Sequence, residues 1–99
     1  MFRVRFHPAA EAELFEAKAY IRADDEKEAI HFEQAFGHSL DWASSQPLIF
    51  RYFEGEFRKV KVGKFRYSLV FRMRGDEIQV LAVAHMSRKP LYWSDRGKT

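Results

Sequence analysis

Nine cations fall between Arg58 and Lys89 in this sequence: Arg58, Lys59, Lys61, Lys64, Arg66, Arg72, Arg74, Arg88 and Lys89. Aromatic residues precede them at Phe57, are interleaved with them at Phe65 and Tyr67, and follow them at Tyr92 and Trp93. Cations beside aromatic rings suit phosphate contacts with base stacking. They suit equally an acidic, partly disordered protein segment that folds on binding. The same alternation also describes a sheet face that is merely solvated, so three readings stand together. His85 closes an apolar run and has the chemistry of a general acid or base, against the alternative of a satisfied structural histidine. Tyr92 and Trp93 are read first as plugs of a core.

Other chemistries lack their spacing. His7, His31, His38 and His85 include no His-x-x-x-His pair, so no metal site is expected. Gly97-Lys98-Thr99 copies the end of a phosphate-binding loop, but Tyr92 stands where the earlier glycine belongs and no helix follows. Arg74-Gly75-Asp76 is explained by a hairpin turn. No Gly-x-Ser-x-Gly elbow presents a nucleophile. No cofactor is expected.

The 99 residues contain no cysteine, which excludes disulfides and thiolate chemistry together. The formal charge of +3 hides an asymmetry. Residues 1–48 carry 5 basic and 9 acidic side chains, whereas residues 49–99 carry 12 and 5, so a half of −4 precedes a half of +7. A basic half of that size points to a polyanionic partner, nucleic acid or acidic protein. The start, Met1-Phe2-Arg3-Val4-Arg5-Phe6, alternates charge with apolar groups, unlike a signal peptide, and no apolar run approaches the roughly 20 residues of a membrane helix. A cytoplasmic protein without membrane contact is expected.

The elements that must position these residues follow from periodicity. Phe2, Val4 and Phe6 have the period of a strand that ends at Pro8. Ala10, Leu14, Ala17 and Ile21 form one helical stripe, and Ala29, Phe32, Phe36, Leu40 and Ala43 form a second, with Asp24-Asp25-Glu26 to cap it and Ser44-Ser45-Gln46-Pro47 to stop it. Beyond Pro47 the period becomes two. Strands are predicted around Phe57 to Val62, Phe65 to Arg74 and Ile78 to His85, with turns at Gly63-Lys64 and Gly75-Asp76. Ile78 to His85 is apolar on both faces and is expected to lie most centrally. The prediction is one domain over residues 1–99, α+β, of order β-α-α-β-β-β: a helical hairpin packed on a mostly antiparallel four-stranded sheet.

Three segments carry a resemblance to a known family. They are Phe2-Arg3-Val4-Arg5-Phe6-His7-Pro8-Ala9-Ala10 with Glu13-Leu14; Phe65-Arg66-Tyr67-Ser68-Leu69-Val70-Phe71; and Val80-Leu81-Ala82-Val83-Ala84-His85 with Arg88-Lys89-Pro90 and Tyr92-Trp93. Together they resemble the RelE/ParE toxins of type II toxin-antitoxin (plasmid stabilisation) systems over nearly the whole chain. The resemblance implies a toxin restrained by a cognate antitoxin, with DNA reached only indirectly through that antitoxin. It leaves two activities on one fold. The RelE type cleaves messenger RNA at the ribosome without metal, and the ParE type poisons DNA gyrase without nuclease chemistry. For the nuclease, Lys59, Lys61, Arg66, His85, Arg88 and Tyr92 are the catalytic candidates; Arg58, Arg72, Arg74, Lys89 and Trp93 are the partner-binding ones. The departure is Ser68, where the nuclease type tends to carry arginine. Such a contact is worth about 2 to 4 kcal/mol of transition-state stabilisation, so its loss favours the ParE side. A third reading is a degenerate, non-toxic binding module.

Overall fold

The computed structural model describes residues 1–98. Strand β1 (Arg3–Phe6) leads into helices α1 (Pro8–Asp24) and α2 (Glu26–Ser45), then a 3-10 turn (Pro47–Ile49) and strands β2 (Tyr52–Glu54), β3 (Phe57–Lys61), β4 (Tyr67–Arg74) and β5 (Glu77–His85); a second 3-10 helix (Ser94–Lys98) closes the chain. The α+β class and the helical hairpin are as the periodicity predicts. The helix boundaries have local causes. His7 accepts a hydrogen bond from the Ala9 amide at 3.0 Å and Pro8 takes the first helical position. Asp25 both ends α1 and caps α2, its carboxylate accepting from the Lys27 amide at 2.9 Å, so one residue makes the hairpin turn.

The sheet has five strands in the order β1-β5-β4-β3-β2, where four are expected from the sequence. The additional strand, β2, is three residues long and exposed throughout, and its pairing with β3 is irregular between Tyr52 and Glu54. So short a segment, wet on both faces, shows no alternation to read. β4 occupies the centre of the sheet, one place from where the sequence puts it; β5 is covered on its outer side by β1, which runs parallel to it. The other pairings are antiparallel.

One face of the sheet carries the helices. Phe32, fully buried on α2, meets Phe65 and Tyr67 edge-on at 5.2 and 5.3 Å, and around it pack Val60, Val62, Leu69, Phe71, Ile78, Val80 and Val83. Between β4 and β5 the register slips: Val70 pairs with Ala82, but Phe71 pairs with Val80, leaving Leu81 as an extra residue. This bulge sends Val80 and Val83 toward the helices and Leu81, Ala82 and Ala84 to the opposite face, so β5 is buried on both sides. That opposite face is covered by the chain's own C-terminal tail, through Leu91, Tyr92 and Trp93. No helix among the described residues is long and apolar enough to cross a membrane.

Candidate functional site

The tail reaches its place by a turn after His85. The Arg88 amide donates to the His85 carbonyl at 3.0 Å, and Leu91 takes φ = 62°, a left-handed conformation uncommon for a branched side chain. Strained backbone of this kind concentrates where a ligand is held. The far end of the tail is tied by one ion pair. Both terminal nitrogens of Arg96 donate to the Glu13 carboxylate at 2.9 Å, Arg96 Nη1 also donates to the Leu81 carbonyl at 2.9 Å, and Glu13 accepts from the Val83 amide at 3.0 Å. Pairing between β1 and β5 ends at Phe6 and Val80, so Leu81 and Val83 lie on an edge with no strand beside it. Glu13 and Arg96 therefore complete the hydrogen bonding that β1 leaves unfinished. Burial alone would raise the Glu13 pKa, but the bonds from Arg96 and the Val83 amide, with the Tyr92 hydroxyl close by, outweigh it and hold the carboxyl below its ordinary value.

Between this tail and the β2–β3 edge lies a groove of about 440 Å³. Its floor is aliphatic, with Val70, Ala84 and Leu91, and its walls carry charge. The Lys59 ammonium lies 5.0 Å from the centre of the Phe53 ring, and the Arg88 guanidinium 3.9 Å from that of Tyr92. Phe53 in turn contacts Trp93 at 5.7 Å. The Trp93 Nε1 is buried and has no hydrogen-bond partner among the described residues. His85, at the junction of the groove with a smaller cleft beside Glu13 and Tyr20, packs edge-on against Tyr67 at 4.9 Å. Its Nδ1 accepts from the Ser87 amide at 3.0 Å, which places the proton of the neutral ring on Nε2. The Tyr92 hydroxyl is buried beside Glu13 without closing a hydrogen bond of normal geometry. Burial first, and the adjoining Glu13 carboxylate as a polar neighbour second, push the phenol well above its ordinary value, so it remains protonated across the physiological range.

Of the candidates from the sequence, Lys59, His85, Arg88, Lys89, Tyr92 and Trp93 come together along this groove. Lys61 is turned to another task, donating to the carbonyls of Gly63 and Phe65 at 3.1 and 3.0 Å and clamping the β3–β4 loop. Arg66 is exposed on that loop, outside the lining. Arg58 and Arg72 are only 6% and 7% exposed, which corrects their reading as partner-facing cations. Arg58 shares the face of Val60 and Val62; its Nη1 donates to the Phe50 carbonyl at 2.6 Å and its guanidinium lies 4.0 Å over Tyr52. Arg72 lies under the tail, donating to Gln79 at 2.8 Å and Glu56 at 3.2 Å. Arg74 is exposed but also bonded to Glu56, and these two arginines, Arg74 foremost, hold the Glu56 carboxyl below its usual range. Glu13 and Arg96 escape the sequence reading, because 83 residues separate them and neither sits in a recognisable motif.

Described residues offer no group of three or more His, Asp or Glu side chains able to hold a metal ion. A helical hairpin on one face of a mixed five-stranded sheet, with a basic groove and a self-packed tail on the other, defines a small α+β protein built to present a charged surface. Its profile is that of the ParE toxin of type II toxin-antitoxin systems, parDE, which matches residues 4–90, and the chain belongs to this family. A solved structure of the chromosomal ParDE toxin-antitoxin system from P. aeruginosa shares the fold with a TM-score of 0.71 at 18% identity, over 86% of this chain and 96% of that one. No curated protein matches the sequence significantly.

Proposed function

We propose that this chain is the toxin of a type II toxin-antitoxin pair that arrests growth in the cytoplasm by acting on DNA gyrase, and that a cognate antitoxin neutralises it. Membership of the ParE family supports the reading. The observation that carries the choice against ribonuclease chemistry is the state of the groove's acid and base groups. Tyr92 is held protonated with its hydroxyl buried, so it is a poor base for a ribose 2′-hydroxyl. His85 has Nδ1 already engaged by Ser87. Ser68 lines the groove where the nuclease reading wants a guanidinium for the phosphorane. The phenol is thus held protonated, the Nδ1 lone pair of His85 is engaged, and one phosphate contact is missing.

Induced expression without antitoxin, followed by measurement of replication, transcript integrity and gyrase supercoiling by the purified protein, tests the proposal. Growth arrest with loss of supercoiling and intact transcripts is expected. Arrest with translation-dependent messenger RNA cleavage and normal supercoiling would refute the gyrase reading, and unimpaired growth at verified soluble expression would refute the toxin reading itself.

A further inference from the structure

Strand alternation sets a row of charge across the β1 side of the sheet. Phe6 packs on the helix side, so Arg5 projects to the face that the tail covers, where Arg72 also lies. Both stand in register with Gln79 of β5, so the row reads cation, amide, cation; the row beside it, Arg3, Glu77 and Arg74, has a carboxylate at its centre. Arg96 arrives from the tail and His7 from the start of α1, and with Arg5, Arg72 and Gln79 they line a cavity of about 340 Å³ whose other walls, Phe6 and Leu81 among them, are apolar. No acidic side chain among the described residues lines it. We infer that this cavity binds the phosphoryl group of a small phosphorylated molecule, held by Arg5, Arg72 and Arg96. The site lies at the opposite edge of the sheet from the groove beside β2 and β3, and it stands apart from the proposed toxin activity.

The balance of charge favours an anion here. Glu56 is shared by Arg72 and Arg74, and Glu13, bonded to Arg96, also lies 4.0 Å from Arg88, so each of these carboxylates serves two guanidiniums. Glu77 stands 3.6 Å from Arg5, past hydrogen-bond reach. Three cations therefore face the cavity with their charge only partly answered. A phosphomonoester carries about −1.5 to −2 near pH 7 and presents three acceptor oxygens, which guanidinium forks match in geometry. A carboxylate, with a single charge and two oxygens, matches three guanidiniums poorly. His7 adds a donor, because its Nδ1 accepts from the Ala9 amide at 3.0 Å and the neutral ring then keeps its proton on Nε2. The apolar wall suits the ring or alkyl part of an ester, the mixture usual in small-molecule pockets.

Calorimetric titration of the full chain with adenosine monophosphate, inorganic phosphate and adenosine, at about 50 mM salt to limit screening, tests this. The nucleotide or the free phosphate is expected to bind with a dissociation constant below about 1 mM, and adenosine is expected not to bind. Tighter binding of the nucleotide assigns the cavity to an ester, and equal binding assigns it to the free ion; both support the site. Arg5→Gln, at an exposed position, should weaken binding about tenfold, and so should Gln79→Glu, which sets a carboxylate at the centre of the row. Arg3→Gln removes the same charge from the neighbouring row and should leave the affinity unchanged. Thermal melts of each variant separate binding from folding. Arg72 and Arg96 also hold the tail, so they are followed in the parent chain, where their Nε–H resonances should shift on adding the nucleotide. No binding of either anion, adenosine binding as tightly as the nucleotide, equal losses on Arg3→Gln, or shifts confined to Arg88 and its groove would overturn the inference.

Discussion

Replacing Arg96 by methionine, which keeps the length and apolar stem of the side chain, removes three hydrogen bonds of 2.9 Å, two to Glu13 and one to the Leu81 carbonyl. Glu13 is then left with the Val83 amide as its one remaining short bond, in a place where its side chain is 11% exposed and that of Arg96 was 18%. Breaking one partner out of a well-buried pair costs about 3–5 kcal/mol, and the residual solvent access here lowers the expectation to about 2–4 kcal/mol. For a chain of this length that is roughly 10 to 25 °C of melting temperature. The pH dependence has a definite sign. Glu13 titrates below its ordinary value in the fold, so its charge stabilises the protein above the unfolded-state value, and that contribution is lost as pH falls through the depressed folded one. In Arg96→Met burial persists while the Arg96 bonds are gone, so the carboxyl moves up and the gap between variant and parent narrows in acid. Urea unfolding at about pH 7 and pH 3.5 measures this. Glu13→Gln and the double variant complete a cycle with a coupling of about 2 kcal/mol. A loss under about 0.5 kcal/mol at neutral pH, the scale of an exposed pair, or an equal loss at both pH values would refute the edge-completing role of this pair.

Gly97→Ala should destabilise by about 1 kcal/mol in the same assay, because a Cβ there would stand 2.7 Å from Arg72 Nη1 and push a guanidinium that Glu56 and Gln79 hold in place. Phe32→Ala removes a fully buried ring with two edge-on partners and should cost about 3–5 kcal/mol by denaturant titration. Gly75→Ala forces a side chain into φ = 60° at the β4–β5 turn, for about 1 kcal/mol. Tyr92→Phe deletes a buried hydroxyl that closes no normal hydrogen bond, so stability should change by less than about 1 kcal/mol and growth arrest on induction should persist; loss of arrest together with loss of transcript cleavage would restore Tyr92 to a catalytic role.

Elements whose cause is local are legible in the chain. Apolar residues at helical spacing, one aspartate that caps at a single-residue turn, and prolines and glycines at the boundaries act over a few residues, so α1, α2 and the β4–β5 hairpin can be placed without tertiary information. Even Arg58 was written in the period of two: it has the parity of Val60 and Val62, and so belongs to the helix face rather than beside Lys59. Arg72 is different. Its face reads as solvent until a tail some twenty residues downstream folds across it, and only then does a guanidinium need Glu56 and Gln79 as buried partners.

The sequence by itself determined the α+β class, the helical hairpin, the charge division and the set of cations from which a basic surface had to be built, because composition and period act locally. Tertiary structure alone decided which cations share a groove. The slip at Leu81, the parallel partner on one edge of β5 and the Glu13–Arg96 bond across 83 residues turn the tail back over the sheet and bring Arg88, Tyr92 and Trp93 opposite Lys59 and Phe53. Each depends on backbone groups left unpaired by some other element, and an unpaired group exists only once the strands have met.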